Sequence, residues 1–271
     1  MKVEIRSVAE TLRLAQCSKT LFSLFQQFSQ NVGPGTRGLD IDRQVTRFLK
    51  QQGMESALLG YRGYAHTCSV CPNGLVVHGI PDHRRIAQGD IITIDVAGRS
   101  GSWTTDTAWT YVTADAPTDV RDLWIQSWVA FRELLCAIDC GISLEEIAIV
   151  AEAGARSRGL RIFPQFVGHG LGQQLHEPPV VPFHRDAFSR TIKEFRVPAG
   201  VVLNIEPVYG LGGTEVTLDG DGWSYHTADG SATSHFELSL LVREGGVEIL
   251  QFGGIRPQEL PSMPPFGDLL S

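Results

Sequence analysis

Seven side chains of types that bind metals or move protons sit on or beside apolar segments of this sequence: His78, Asp95, Asp106, His169, His176, Glu206 and Glu237. The most informative pair lies in DIITIDVAGRSGSWTTDTAWTYV, which reads as two strands joined by a turn. A two-residue loop at Ser100-Gly101 sets Asp95 directly opposite Asp106. Thr93, Asp95 and Ala97 then share a face with Thr104, Asp106 and Ala108. Ile92, Ile94 and Val96 share the apolar face with Trp103, Thr105 and Trp109. Like charges directly opposite each other are destabilising. Three outcomes relieve them: one carboxyl is protonated, a cation sits between them, or both acids face water. Facing carboxylates suit a divalent ion or a pair of ions.

Two glutamates follow the same alternation. In GVVLNIEPVYG, Glu206 shares its face with Asn204 and Val202, and Leu203 and Ile205 point the other way. In SHFELSLLV, Glu237 shares its face with His235 and Ser239, opposite Phe236, Leu238 and Leu240. A carboxylate in such a strand is costly to bury unless paired or metal-bound; taken singly, each is an edge-strand acid facing water. The stretch FVGHGLGQQLHEPPVVP carries His169 and His176 seven residues apart. A helix would put them on one face and a straight strand on opposite faces, and the glycines and prolines argue against an unbroken helix. Alone, His78 before Gly79-Ile80-Pro81 is a turn residue and His169 a core histidine; with the acids they begin to form one site.

The elements that must position these groups are legible in outline. Residues 7–52 carry helical apolar spacing, with LDIDRQVTRFLKQQG ending at Gly53. Strand-like segments follow: SALLGY, TCSVCPNGLVVHGI with a Pro-Asn-Gly turn, and the two around Asp95 and Asp106. Helical segments are expected near 119–139 and 143–158, then strands in RIFPQFVGHG, GVVLNIEPVYG, HFELSLLVRE and GVEILQF. Frequent hairpins between helical pairs predict an α+β fold with a mixed or antiparallel sheet. Residues 1–253 read as one domain, and 254–271 as a proline-rich tail, strap-like or disordered.

Composition narrows the functional classes. The 271 residues, 42% hydrophobic, can bury a sizeable core without staples. A net charge of −7 opposes non-specific nucleic-acid binding and gives no pull toward an anionic membrane. No secretory signal or membrane-length apolar run is visible, so a cytoplasmic protein is expected. Five cysteines are too few and too scattered for a disulfide framework. Cys68 and Cys71 have the spacing of half a zinc site, which Cys136 and Cys140 could complete. Buried free thiols on a helix face are the simpler account of the second pair.

In order and spacing, His78 in VVHGIP, Asp95 in ITIDV, Asp106 in TTDTA, His169 and His176 in GHGLGQQLHEPP, Glu206 in NIEP and Glu237 in HFELSLLV form one pattern. With LGYRGY and GDGWSYHTADGS, the chain from about Leu12 to Phe252 resembles the type I methionine aminopeptidases of the creatinase-like metallopeptidases. The resemblance implies a pita-bread fold: curved, mostly antiparallel sheets flanked by helices, with an internal pseudo-twofold. It implies two divalent ions (Mn, Fe, Co or Zn) held by Asp95, Asp106, His169, Glu206 and Glu237. Glu206 would also shuttle protons, His78 would contact the substrate's main chain and His176 would stabilise the developing oxyanion. The implied substrate is the N-terminus of a peptide or nascent protein, hydrolysed by a monomer to release methionine.

The same resemblance places a side-chain pocket at Leu58, Tyr61, Tyr64, Ser69, Leu175 and Trp223. Leu58 and Ser69 stand where the family usually has cysteines, and Leu175 where it has an aromatic. Pro178 replaces a glutamate and His235 a glutamine. The metal set is complete while the pocket wall is altered, so a relative acting on another N-terminal residue in a specialised pathway is an alternative. A second is a binding module without activity, although such relatives lose metal ligands. Proline-directed relatives usually carry an extra N-terminal domain, for which this chain has little room.

Overall fold

The structure, a computed structural model, describes residues 2–187 and 194–266. Helix α1 (Val8–Asn31) starts at a capping box in which Ser7 and Glu10 exchange hydrogen bonds. It is followed by α2 (Gly38–Gln51) and, after the first strands, by α3 (Thr118–Ala137) and α4 (Leu144–Arg156). Ser143 and Glu146 form the same capping box at α4.

One sheet contains β1 (Glu55–Ser56), β2 (Ser69–Pro72), β4 (Ile91–Ser100) and β5 (Trp103–Val112), while β3 (Leu75–Val77) pairs elsewhere. A second, five-stranded sheet has the order β15 (Gly246–Ile249), β14 (Leu238–Arg243), β9 (Val202–Ile205), β7 (Gly168–Gly170) and β8 (Glu177–Val181). Three-stranded sheets join β13 (Thr233–His235), β10 (Val208–Gly210) and β6 (Arg161–Ile162), and β11 (Val216–Leu218), β12 (Tyr225–Thr227) and β3. Every ladder among the described residues is antiparallel.

The hairpin register differs from the sequence expectation. Ser100 pairs with Trp103, so the loop is Gly101-Ser102, one residue later than Ser100-Gly101. Gly101, at φ 57°, takes the positive-φ first position that such a loop demands. Asp106 therefore lies opposite Ala97, and Asp95 opposite Ala108. The carboxylates are diagonal neighbours on the same face, because a shift of two residues preserves facing.

Three other expectations are corrected. SALLGY is not a strand beyond Ser56; it turns through a 3₁₀ segment at Tyr61–Gly63 around Gly60 (φ 85°) and Gly63 (φ 91°). HFELSLLV is not one strand, since β13 stops at His235 and β14 begins at Leu238. Cys136 and Cys140 are exposed rather than buried on a helix face: Cys136 sits in the last turn of α3, and Cys140 lies beyond its end at Ala137.

The core lies between the helices and the apolar face of β4 and β5. Trp109 anchors it, with Trp128 at 5.3 Å, Phe236 at 5.1 Å and Phe22 at 5.4 Å between ring centroids. Residues 254–266 join this core: Leu260 is buried, Trp128 donates its indole N–H to the Pro261 carbonyl, and Phe266 stacks on Trp109.

Candidate active site

The strand breaks position the acids. β9 ends at Ile205 and β10 resumes at Val208; across from them β13 ends at His235 and β14 resumes at Leu238. Leu238 pairs with Ile205 and Val208 with His235, so Glu206-Pro207 lies against Phe236-Glu237. Proline cannot donate to a ladder, which helps end pairing at this level. Both long strands cross from one sheet to another here, and both glutamates sit at the crossing.

The thirteen side chains expected at the site border one cavity of about 270 Å³. Asp95, Asp106, His169, Glu206 and Glu237 line its floor; Leu58, Tyr61, Tyr64, Ser69, Leu175 and Trp223 line its walls, with His78 and His176. Arg62, which sequence reasoning missed, is a further lining residue; the only clue was its place between the two tyrosines of YRGY. Cavities of larger volume occur elsewhere, such as one of about 590 Å³ near Glu152 and Arg161, without this convergence of acids.

The donor set fits a cation. Asp106, His169 and Glu237 are buried and offer ligand atoms all within 4.8 Å of one another. His169 Nδ1 lies 2.9 Å from the Gly170 carbonyl oxygen, which can only accept, so Nδ1 carries the proton. In the neutral ring, Nε2 is then a free lone pair, aimed at Glu206 Oε1 (3.2 Å) and Asp106 Oδ2 (3.9 Å). Glu206 Oε1 is correspondingly buried without a hydrogen-bond donor. Lone pairs facing lone pairs require a proton or a cation between them.

The electrostatics agree. Burial, then the charges of Asp106 and Glu206, holds the Asp95 carboxyl well above the usual carboxylate range. Burial also lifts Asp106 to about 7, against the pull of His169. Glu237 is raised by burial and then by Asp106, Glu206 and Asp95, although Asn204 donates to its Oε1 at 2.7 Å. Burial alone would lower His169; the Glu206 carboxylate, which could accept a proton carried on Nε2, and then the Glu206 and Asp106 charges favour the protonated ring and outweigh it, so the net direction is up. Four carboxylates facing one imidazole leave an excess of negative charge that a divalent ion would neutralise.

The supports were partly hidden in the sequence. Asn204 accepts from the Ser239 hydroxyl at 2.6 Å, and the Gln251 amide donates to the Asp106 carbonyl, the Thr107 hydroxyl and the Ser239 hydroxyl. Asn204 and Ser239 share the glutamates' facing, which is the signal; Gln251 gives none.

At the mouth, the imidazoles of His169 and His176 lie 4.3 Å apart. A register shift after His169 leaves Gly170 paired with Glu177, and the turn between these two carries His176 back over the cavity. Tyr61 Oη and His176 Nδ1 are 2.8 Å apart. His176 faces the cavity, and loss of bulk water, then the charges of His169, Arg62 and His78, lowers its pKa to about 4. Tyr64 is fixed by donating to the Cys68 and Gly79 carbonyls, and its ring meets Trp223 edge-on at 5.0 Å. His78 sits at φ 58°, 6.3 Å from Trp223. Ser69 Oγ is turned to Cys71 Sγ at 3.2 Å. Cys68 and Cys71 are free buried thiols, and the cysteines form no metal cluster among the described residues. His235 is buried, with its backbone N–H and carbonyl both bonded to Thr110 Oγ1.

Residues 13–251 match metallopeptidase family M24. The chain is 31% identical to methionine aminopeptidase 1 of Bacillus subtilis over 225 residues, covering 83% of this chain and 89% of that protein. It is 31% identical to methionine aminopeptidase 2 of Mycobacterium tuberculosis over 248 residues, 92% of this chain and 85% of the other. The solved methionine aminopeptidase of Thermotoga maritima superposes with a TM-score of 0.87 at 27% identity, covering 92% of this chain and 99% of that one. The Pyrococcus furiosus prolidase shares the fold, at a TM-score of 0.73 and 18% identity, with 65% of its chain covered. The fold is thus that of the pita-bread peptidases, with helices flanking antiparallel sheets. With its fold, its acid-lined cavity and a match across most of its length, the chain belongs to metallopeptidase family M24.

Proposed function

We propose that this chain is a metal-dependent aminopeptidase that hydrolyses the N-terminal peptide bond and removes methionine. The observation that carries the reading is the convergence of four carboxylates with an imidazole whose Nδ1 is tied to a carbonyl, on the floor of a partly apolar cavity. Asp95, Asp106, His169, Glu206 and Glu237 would hold two divalent ions. Hard carboxylates with one imidazole suit manganese, iron, cobalt or zinc. Such ions lower the pKa of water and polarise a peptide carbonyl.

The chain's own residues do the rest. Leu58, Tyr61, Tyr64, Leu175 and Trp223 take the first side chain of the substrate, and Tyr64 is held rigidly enough to define its depth. With Tyr61 donating to Nδ1, the His176 ring proton sits on Nε2 and can be donated to the carbonyl oxygen as charge develops on it. His78 faces the same space and is a donor or acceptor for the substrate's main chain. Glu206, with an unpartnered oxygen, accepts a proton from the attacking water and returns it to the leaving amine.

Ser69 and Leu175 favour a second reading, in which another N-terminal residue is preferred; one methylene in an apolar pocket changes selectivity by only about 1–3 kcal/mol. A panel X-Ala-Ser, with protein loaded with Mn²⁺ or Co²⁺, tests both. Release of methionine from Met-Ala-Ser ahead of the other members is expected. No turnover of any peptide with either metal would overturn the peptidase reading, and turnover of non-methionine peptides alone would overturn the methionine preference.

A further inference from the structure

We propose that Arg6, outside the cavity, is a positioning residue for His176; this rests on the aminopeptidase reading above. Arg6 immediately precedes the Ser7 cap of α1, and its N–H donates to the Gly200 carbonyl at 2.9 Å. Its guanidinium turns inward and is paired with the Glu177 carboxylate; the two side chains are only 7% and 11% exposed. The other Glu177 oxygen, Oε1, accepts the backbone N–H of Gln173 at 2.8 Å and of Gln174 at 3.1 Å. One carboxylate thus joins the N-terminal segment to the turn that carries Leu175 and His176.

The turn lies between the ends of β7 and β8 and has no ladder of its own. Its first residues are tied to β5, where the Thr104 N–H donates to the Gly172 carbonyl at 2.8 Å and the Thr104 hydroxyl to the Gln173 carbonyl at 3.3 Å. Beyond Gln173, the Glu177 carboxylate takes over, and the Arg6 charge keeps that carboxylate facing inward. The guanidinium lies over the Trp103 ring at 5.6 Å, so its own plane is held as well. Gly172 completes the cradle: a Cβ there would stand 1.9 Å from Arg6 Nη2 and 2.7 Å from Glu177 Oε1. Gly172 has no positive φ, so close approach, above all by the guanidinium, accounts for the glycine.

Without Arg6, Glu177 is free to turn to water, Gln173 and Gln174 lose their acceptor, and His176 loses the backbone that aims it. The floor residues on β4, β5 and β7 are untouched. The effect belongs to kcat, because misplacement by about 1 Å of a group that acts in the transition state costs on the order of 10²-fold.

The test compares Arg6→Met, which keeps the apolar stem, and Gly172→Ala, which displaces the guanidinium. Each is made in the wild type and in His176→Ala, with steady-state kinetics on Met-Ala-Ser and amide hydrogen exchange of the metal-free proteins. On the order of 10²-fold lower kcat, with a much smaller rise in KM because Leu175 rides the same turn, is expected for both in the wild type, and little further loss of kcat in His176→Ala. Faster exchange at Gln173 and Gln174, with β9 unchanged, should accompany it. Rescue by Arg6→Lys would support a role for the charge. Wild-type kcat in Arg6→Met, or an equal loss in both backgrounds, would overturn the proposal. If the wild type cleaves no peptide, the aminopeptidase reading fails, and unchanged exchange at Gln173 and Gln174 would then separately overturn the clamp.

Discussion

Asp95, Asp106, Glu206 and Glu237 share one imidazole, and the metal-free protein keeps protons on carboxyls that water would ionise. For Asp95 the sign is clear. Its folded pKa lies above the ordinary 3.8, because of burial and then the Asp106 and Glu206 charges. The stability it contributes is present at low pH and is lost as pH rises through the folded value. An asparagine suffers no such loss. Metal-free Asp95→Asn should therefore be more stable than wild type by about 1–3 kcal/mol near neutral pH, with the gap closing toward about pH 4. Saturating Mn²⁺ should reverse the order, since the variant lacks a ligand. Urea unfolding across pH reads this directly; a pH-independent gap would contradict it. Much at this scale was legible in residue type: acids on alternating apolar strands and two histidines among glycines mark a site. Arg62 and Gln251 were not, because sequence alone does not separate an arginine at a cavity wall, or a buried amide, from a polar side chain in water.

Elements decide where those residues meet. The facing of Asp95 and Asp106 was readable because strand side chains alternate, but their register was not, since Ser100-Gly101 and Gly101-Ser102 are both acceptable loops. The breaks at Glu206 and Glu237 were unreadable for another reason: the strands exchange partners there, and pairing is tertiary. Close packing holds the crossing together. A Cβ at Gly168 would meet the Asn204 carbonyl oxygen at 2.3 Å and the Phe183 ring at 2.9 Å. Gly168→Ala should push β7 from β9, moving His169 away from Glu206 and Glu237. Overpacking of this kind costs about 1–3 kcal/mol, so a lower melting temperature and weaker Co²⁺ binding by calorimetry are expected. Wild-type Co²⁺ affinity in that variant would contradict the role given to this packing.

At the scale of the molecule, the helices and the Trp109 aromatic cluster back one side of the hairpin, and its polar side floors the cavity. Antiparallel sheets and helical pairs were visible in the periodicity, whereas the division into separate sheets, like the packing of Phe266 on Trp109, depends on contacts far apart in sequence. No helix among the described residues is long and apolar enough to cross a membrane. Metal and peptide must meet at the same floor. Hydrolysis of Met-Ala-Ser by chelator-stripped protein, followed while Co²⁺ or Mn²⁺ is added back, tests it with wild type and Asp106→Asn side by side. Wild type should be silent until metal arrives and then release methionine, while Asp106→Asn stays slower by on the order of 10²-fold at matched metal, since even losing a group that only orients a metal ligand costs about 10–100-fold. Turnover by the stripped wild type, or equal activation of Asp106→Asn, would contradict the account.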